Sequence, residues 1–246
     1  MGITEADLQT TPDKPDPSSR WAKIQGLDIH YKCLGSGPPL VMIHGSGNDW
    51  HEWQENLTFF ARGFRVYAPD MPGFGLSQSP GSPLSPSWSA SFLRDFMEAT
   101  GIEAAHIIGH SLGGIVALYL ALSFPDKVMR LVLVDSGGLG EVGRKAQLRL
   151  LLIRGVKRIA GKEERRAKLQ KSPKEDWILL SRLRGLQPRT MIVWGERDPY
   201  LSSSQAVLAH SLIPNCELPI FPSCGHAPQR ERADEFNKLV HEFLTT

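Results

Sequence analysis

The sequence of 246 residues is poor in cysteine and contains no long apolar run. Its three cysteines, Cys33, Cys216 and Cys224, are too few and too scattered for a disulfide framework, which predicts a reducing, cytoplasmic location. No stretch of about 18 uninterrupted apolar residues is present, so we expect no transmembrane helix. The Cys-x-x-Cys and His-Glu-x-x-His patterns are also absent, and we therefore expect neither a metal nor a cofactor. The polar, acidic and proline-rich residues 1–19 lack the apolar region of a secretory signal and are interpreted as a loose tail.

Apolar segments alternate with helical patterns along the rest of the chain. Residues 40–43, 104–109, 128–134, 191–194 and 217–221 predict strands. Because the longer strands are apolar on both sides, the pattern indicates a mainly parallel sheet covered by helices on both faces. A leading hairpin over residues 21–32 would supply an antiparallel edge. In such sheets the chemistry gathers at the carboxyl ends of the strands.

The most informative segment surrounds Ser111. An apolar run enters Gly109-His110-Ser111-Leu112-Gly113, and a longer apolar run leaves it. This predicts a strand, a sharp turn and a helix with Ser111 at the apex, which is the context that a G-x-S-x-G nucleophile elbow requires. Gly109 and Gly113 lack side chains where a Cβ would crowd the neighbouring backbone. A serine presented in this way can attack a carbonyl carbon when a base and amide donors lie nearby.

Five motifs, in this order along the chain, resemble those of the α/β-hydrolase fold family. They are His44-Gly45-Ser46-Gly47, Asp70-Met71-Pro72-Gly73-Phe74-Gly75, Gly109-His110-Ser111-Leu112-Gly113-Gly114, Trp194-Gly195-Glu196-Arg197-Asp198 and Gly225-His226. The resemblance spans nearly the whole chain from residue 21. It implies an α/β fold with a mainly parallel eight-stranded sheet flanked by helices on both faces. The core would comprise residues 20–140 and 188–246, and residues 141–187 would form a short helical lid insertion.

The resemblance also implies a role for each matching residue. Ser111 would be the nucleophile, Asp198 the acid and His226 the base of a catalytic triad. The backbone amides of Ser46 and Leu112 would form the oxyanion hole.

The roles of other residues near these motifs stay open. Asp135 and Glu196 follow strands and are alternative candidates for the acid. We expect His110, beside the nucleophile, to have a structural role. We expect His44 to support the oxyanion loop through a hydrogen bond.

The predicted lid is strongly basic although the net charge of the chain is only +2. Residues 141–190 contain 15 Lys and Arg against 5 Asp and Glu, which leaves a net charge of −8 for the rest. The stretch 144–159 has an apolar and a basic side, typical of a lid helix with a solvated outer face. A more specific alternative is that the basic side of this stretch makes weak contact with an anionic membrane. No aromatic residues are interleaved with the basic ones, which argues against a nucleic-acid partner.

A serine at the elbow selects the reaction class. Haloalkane dehalogenases and epoxide hydrolases use an aspartate nucleophile, and Ser111 cannot form their alkyl-ester intermediate. We therefore predict a carboxylesterase-like serine hydrolase that cleaves a small-molecule ester, lactone or thioester. Two alternatives stay open: a carbon–carbon bond hydrolase acting on a vinylogous diketone, and a non-catalytic, ligand-binding relative. The sequence does not predict the oligomeric state.

Overall fold

A computed structural model describes residues 16–143 and 177–246. Most of the predicted tail and most of the predicted basic lid, residues 144–176, lie outside the described residues. The described end of the tail is held in place: the Asp16 carboxylate pairs with the Lys32 ammonium, and the first strand begins at Ser19. Lys32 is buried, and a buried ammonium group is unfavourable unless a counter-ion compensates it.

The described residues form a nine-stranded sheet with helices on both faces. The strands are β1 (Ser19–Ile24), β2 (Leu27–Leu34), β3 (Pro39–Ile43), β4 (Arg65–Pro69), β5 (Ala105–His110), β6 (Val128–Val134), β7 (Arg189–Gly195), β8 (Cys216–Glu217) and β9 (Ile220–Phe221). The α-helices are α1 (Gln54–Phe60), α2 (Pro86–Ala99), α3 (Leu112–Ser123), α4 (Ser203–Leu212), α5 (Pro228–Glu231) and α6 (Ala233–Thr245). Short 3-10 helices cover Trp50–Trp53, Pro125–Lys127 and Leu180–Gly185.

Eight strands follow one continuous path in the order β1-β2-β4-β3-β5-β6-β7-β8, and β9 pairs separately with β7. The pairs β1–β2 and β2–β4 are antiparallel, whereas the pairs from β4 onward along this path are parallel. This confirms the predicted mainly parallel sheet with a hairpin at one edge.

The end of the sheet differs from the prediction. Residues 217–221 do not form one strand but two short ones, because Pro219 lies between them and has no amide hydrogen to donate to a ladder. The carbonyl group of Pro219 still accepts a hydrogen bond of 3.1 Å from the amide of Trp194. The chain therefore stays attached to β7 while it passes from β8 to β9.

The core lies on both faces of the sheet. Ile107 and Trp194 point to one face, where they pack in a cluster with α2, α3 and α4. Their neighbours Ile108 and Val193 point to the other face and pack with α1 and α6. All four side chains are fully buried. With both faces covered, polar groups of the central strands reach solvent only where the strands end.

Two structural findings bear on the predictions that the chain has no disulfide framework and no transmembrane helix. Cys33, Cys216 and Cys224 are all free thiols. Among residues 16–143 and 177–246, none of the helices combines the length and the apolar character that crossing a bilayer requires.

The contact between β5 and α3 depends on two glycines. A Cβ on Gly109 would lie 2.5 Å from the carbonyl oxygen of Gly113, and a Cβ on Gly113 would lie 2.3 Å from that of Ile43. Both distances are far below van der Waals contact, so α3 can begin directly against β3 and β5 only because these positions carry no side chain.

The variant Gly109→Ala tests this packing. The added methyl group must displace the backbone of α3, so we expect the free energy of unfolding to fall by about 3 kcal/mol. Urea denaturation followed by circular dichroism measures the change. Gly185→Ala is the control, because a Cβ there meets no atom within 4 Å. Equal stability of Gly109→Ala and the native protein would contradict the account of the turn.

Candidate active site

Ser111 occupies a strained turn between β5 and α3. Its φ of +52° and ψ of −112° are unfavourable for a residue with a side chain. Three backbone hydrogen bonds hold this conformation. The amide of Ser111 donates to the carbonyl oxygen of Val134 at 3.0 Å, and its own carbonyl oxygen accepts from the amides of Gly114 at 3.1 Å and Gly137 at 3.0 Å. The surrounding structure therefore fixes a backbone geometry that Ser111 would not adopt alone.

Hydrogen bonds link the three residues predicted as the triad. Ser111 Oγ donates to His226 Nε2 at 3.1 Å, and His226 Nδ1 donates to Asp198 Oδ2 at 2.7 Å. The other carboxylate oxygen of Asp198 accepts from the amides of Tyr200 at 2.7 Å and Leu201 at 3.0 Å. The side chain of Asp198 is fully buried, and these amides fix its direction. The imidazole is thereby held in the tautomer whose Nε2 can accept a proton from Ser111.

Asp135 lies close by but is not the partner of His226. Its Oδ1 accepts from the amide of Gly195 at 2.9 Å, and its Oδ2 has no hydrogen-bond partner among the described residues. Burial, together with the negative charge of Asp198, raises the pKa of Asp135 to about 8. At neutral pH this carboxyl group is protonated, so it does not supply the negative charge that would stabilise an imidazolium.

Glu196, the third candidate for the acid, points away from the site. Its side chain is exposed, and it accepts a hydrogen bond of 2.9 Å from the amide of Ser223. Of the three candidate acids, only Asp198 makes a hydrogen bond with His226 in the described part of the chain.

The two predicted oxyanion donors lie in different parts of the chain. Leu112 is the first residue of α3, and Ser46 lies in the loop after β3. In the described part of the chain, neither backbone amide donates a hydrogen bond to a protein acceptor. His44 supports this loop as predicted, because its Nδ1 donates to the carbonyl oxygen of Gly45 at 2.8 Å and its Nε2 accepts from the amide of Met71 at 3.0 Å. Both amides are thus available to an external acceptor.

Sequence reasoning missed Glu52 and gave His110 only a general structural role. The ring of His110 lies 4.8 Å from that of His226, and its Nε2 donates to the carbonyl oxygen of His226 at 2.7 Å. Its Nδ1 lies against the carboxylate of Glu52, which is 3% exposed. No local sequence pattern indicates a buried carboxylate at Glu52.

One cluster of side chains has the composition of a metal site. The ligand atoms of His110, Asp135 and His226 lie within 4.8 Å of one another. The ring nitrogens of both histidines are already engaged, since His226 bonds Ser111 and Asp198 and His110 faces two acceptors. A cation bound here would have to displace these contacts.

Two cavities border the oxyanion loop, and Phe74 lines both of them. The first is apolar and about 20 Å³ in volume, enough for one water molecule, and it adjoins Leu112. Its apolar lining includes Ile43, Met71, Leu84, Val116 and Trp177. The second is about 520 Å³ in volume and its lining is mostly polar. Its lining includes Asn48, Asp49, His51, Gln54 and Arg230.

Comparisons with known proteins identify the family of this chain. Residues 38–175 match the alpha/beta hydrolase fold family. The chain is 28% identical over 264 residues to the 2-hydroxy-6-oxo-6-phenylhexa-2,4-dienoate hydrolase of Burkholderia cepacia, covering 90% of this chain and 92% of that protein. Among solved structures, it is similar to a meta-cleavage product hydrolase from Pseudomonas fluorescens IP01, with 26% identity, a TM-score of 0.76 and coverage of 92% of this chain and 97% of that one. It is also similar to a membrane phospholipase A described as a bacterial virulence factor, with 25% identity, a TM-score of 0.79 and coverage of 92% and 85%. Because the family match covers more than half of the sequence, this chain belongs to the alpha/beta hydrolase fold family.

Proposed function

We propose that the protein is a serine hydrolase that transfers an acyl group from a carboxylic ester to water. The observation that carries this proposal is the hydrogen-bonded chain from Ser111 Oγ to His226 Nε2, at 3.1 Å, and from His226 Nδ1 to Asp198, at 2.7 Å. A serine hydroxyl is a weak nucleophile until a base takes its proton. This chain supplies the base and the carboxylate that orients it.

The first half of the reaction acylates the enzyme. Ser111 Oγ attacks the carbonyl carbon while its proton passes to His226 Nε2, and the carbonyl electron pair moves onto oxygen. Asp198 stabilises the imidazolium that forms. The tetrahedral intermediate collapses, the bond to the alcohol oxygen breaks, and that oxygen takes the proton from His226. Water then repeats these steps on the acyl group of Ser111 and releases the carboxylic acid.

The amides of Ser46 and Leu112 are the proposed donors to the oxyanion. Both are free of protein acceptors in the described residues, and that of Leu112 lies at the N-terminus of α3, where the helix dipole favours negative charge. Losing one such donor typically costs roughly 3–4 kcal/mol of transition-state stabilisation.

The cavities support a small substrate with one apolar and one polar part. The cavity beside Leu112 is apolar and holds only about 20 Å³, which favours a short acyl group there. The polar cavity of about 520 Å³ falls within the size range of small-molecule sites and would take the alcohol portion. Lactones and thioesters would use the same groups.

Carbon–carbon bond hydrolysis is the second candidate. The similarity to the Burkholderia cepacia dienoate hydrolase favours it, since that similarity extends over 90% of this chain. The leaving group would then be a carbanion stabilised by conjugation, and it would take its proton on carbon rather than on oxygen. Acylation of Ser111 would be common to both reactions.

Labelling with a fluorophosphonate probe tests whether Ser111 is activated. We expect the native protein to react with the probe and Ser111→Ala to lose both labelling and turnover. The fold should persist, because the hydroxyl group contributes little to the core. Fluorescence of the labelled band on a gel and a circular dichroism spectrum provide the two readouts.

Ser211→Ala is the matched control for the probe, since Ser211 is exposed on α4. It should label as the native protein does. A native protein that is folded but unlabelled would favour the ligand-binding alternative and refute the proposed enzyme.

A substrate screen separates the two candidate reactions. We expect p-nitrophenyl esters of short acyl chains to be hydrolysed faster than long ones, because the cavity beside Leu112 is narrow. A vinylogous diketone, followed by its loss of absorbance, should react more slowly than the best ester. Preferential turnover of the diketone would replace ester cleavage with carbon–carbon cleavage as the function.

Paired substitutions test which carboxyl group serves as the acid. Asp198→Asn should lower kcat by roughly 10⁴-fold, because the amide favours the wrong tautomer of His226. Asp135→Asn, its matched control, should lower kcat by less than about tenfold, because Asp135 is already uncharged at neutral pH. Steady-state kinetics on the best substrate measures both changes in kcat. If Asp135→Asn lowered kcat more than Asp198→Asn, the acid would instead be Asp135, which follows β6.

The Asp135→Asn variant also carries an independent readout in stability. The pKa of Asp135 is about 8 in the folded protein against 3.8 ordinarily, so the folded state retains a proton that the unfolded state loses between these values. This contribution lowers the stability of the native protein as pH rises through that window. The stability of Asp135→Asn relative to the native protein should therefore increase between about pH 5 and pH 8. A difference that is independent of pH would contradict the raised pKa.

A further inference from the structure

Glu52 connects several separate parts of the site through one buried carboxylate. Its Oε2 accepts hydrogen bonds from the amide of Gly45 at 2.6 Å and from Asn48 Nδ2 at 3.2 Å, both in the oxyanion loop (residues 44–48). Its Oε1 accepts from Gln229 Nε2 at 3.0 Å and pairs with His110 Nδ1. Glu52 also lines the polar cavity of about 520 Å³. Its contacts reach the oxyanion loop, the elbow and the helix that follows His226.

The protonation of His110 follows from its partners. One ring nitrogen faces the carboxylate of Glu52, and the other lies 2.7 Å from the carbonyl oxygen of His226. The carbonyl oxygen of His226 can only accept a hydrogen bond, so Nε2 carries a hydrogen. Glu52 already accepts hydrogen bonds from Gly45, Asn48 and Gln229, which favours its ionised form and leaves the proton of the pair on Nδ1. A histidine that donates from both nitrogens is an imidazolium. The pair is therefore ionised inside the protein, and each member neutralises the other.

The charges around the pair agree with this assignment. Burial alone would lower the pKa of His110, but the Glu52 carboxylate outweighs burial, so the pKa is raised. Burial would raise the pKa of Glu52, but His110, with help from the Gly45 amide and His44, lowers it to about 2. Among the described residues, His226, whose ring lies beside that of His110, and Asp135 are further titratable groups close to the pair.

We propose that Glu52 and His110 form a positioning pair, a buried carboxylate–imidazolium contact that sets the oxyanion loop and the backbone of His226 relative to Ser111. The pair touches no reacting atom. It acts through the amide of Gly45, which precedes the proposed donor Ser46, and through the carbonyl group of His226. The inference of a catalytic effect rests on the proposed function, whereas the ionised state of the pair does not.

Glu52→Gln removes the charge while preserving the packing. The Gln oxygen can still accept from the amide of Gly45, and its amide can donate to a neutral His110. Gln229 can turn its side chain to accept from the new amide, because its own Oε1 has no partner among the described residues. The variant therefore retains a hydrogen-bonded site in which His110 is neutral, and it is expected to fold.

Nuclear magnetic resonance of protein labelled with ¹⁵N-histidine tests the ionised state directly. The ¹⁵N shifts distinguish an imidazolium from either neutral tautomer, and His110→Asn identifies the resonances by their loss. At about pH 8, where an ordinary histidine with a pKa near 6.5 is neutral, His110 should still be doubly protonated in the native protein. In Glu52→Gln it should be neutral. A neutral His110 in the native protein at about pH 8 would overturn the proposal, whatever the substrate.

Kinetics tests the positioning role. Glu52→Gln should lower kcat by roughly tenfold, less than the loss of a whole oxyanion donor, and should change KM less than about twofold. Glu55→Gln is the matched control, since Glu55 is exposed on α1, and it should preserve both the spectrum of His110 and kcat. If His110 is an imidazolium in the native protein but kcat is unchanged in Glu52→Gln, the positioning role is overturned.

Discussion

The hydrogen bond between Ser111 Oγ and His226 Nε2 is the interaction on which the rest of this structure depends. It joins residues separated by 115 positions in the sequence. A contact between such distant residues forms only if the sheet brings the ends of β5 and β9 to one edge and if both loops are held there. Ser111 also occupies a strained backbone conformation, and such strain persists only where surrounding contacts determine it. The fold therefore serves to keep a strained turn and a histidine loop at a fixed separation.

The elements that maintain this separation are mostly backbone groups and buried polar side chains. Gly109 and Gly113 allow α3 to begin against the sheet, which directs the first amides of the helix toward the site. Hydrogen bonds from two amides hold the carboxylate of Asp198 in place, so it keeps the direction in which it orients the imidazole. Glu52 adds a second buried carboxylate with a different partner. The two carboxylates have different tasks because one faces the ring of His226 and the other faces His110.

Much of this could be predicted from the sequence because its signals are local. The apolar runs around Ser111 predict the elbow, and the apolar strands predict the mainly parallel sheet. Other features depend on contacts that no local pattern encodes. The choice between Asp135 and Asp198 depends on the path of residues 195–201, and the ion pair of Glu52 depends on a contact across the site. β8 and β9 are separate strands because Pro219 lies between them and has no amide hydrogen. The proline is evident in the sequence, but the apolar residues around it favour the prediction of one strand.

Trapping of the covalent intermediate tests the central claim most directly. The native protein would be mixed with its best p-nitrophenyl ester, quenched in acid within milliseconds and examined by intact-mass and peptide mass spectrometry. A mass increase equal to the acyl group, on the peptide that contains Ser111, is the result that this account predicts. An adduct on another residue, or hydrolysis that persists undiminished in Ser111→Ala, would contradict it.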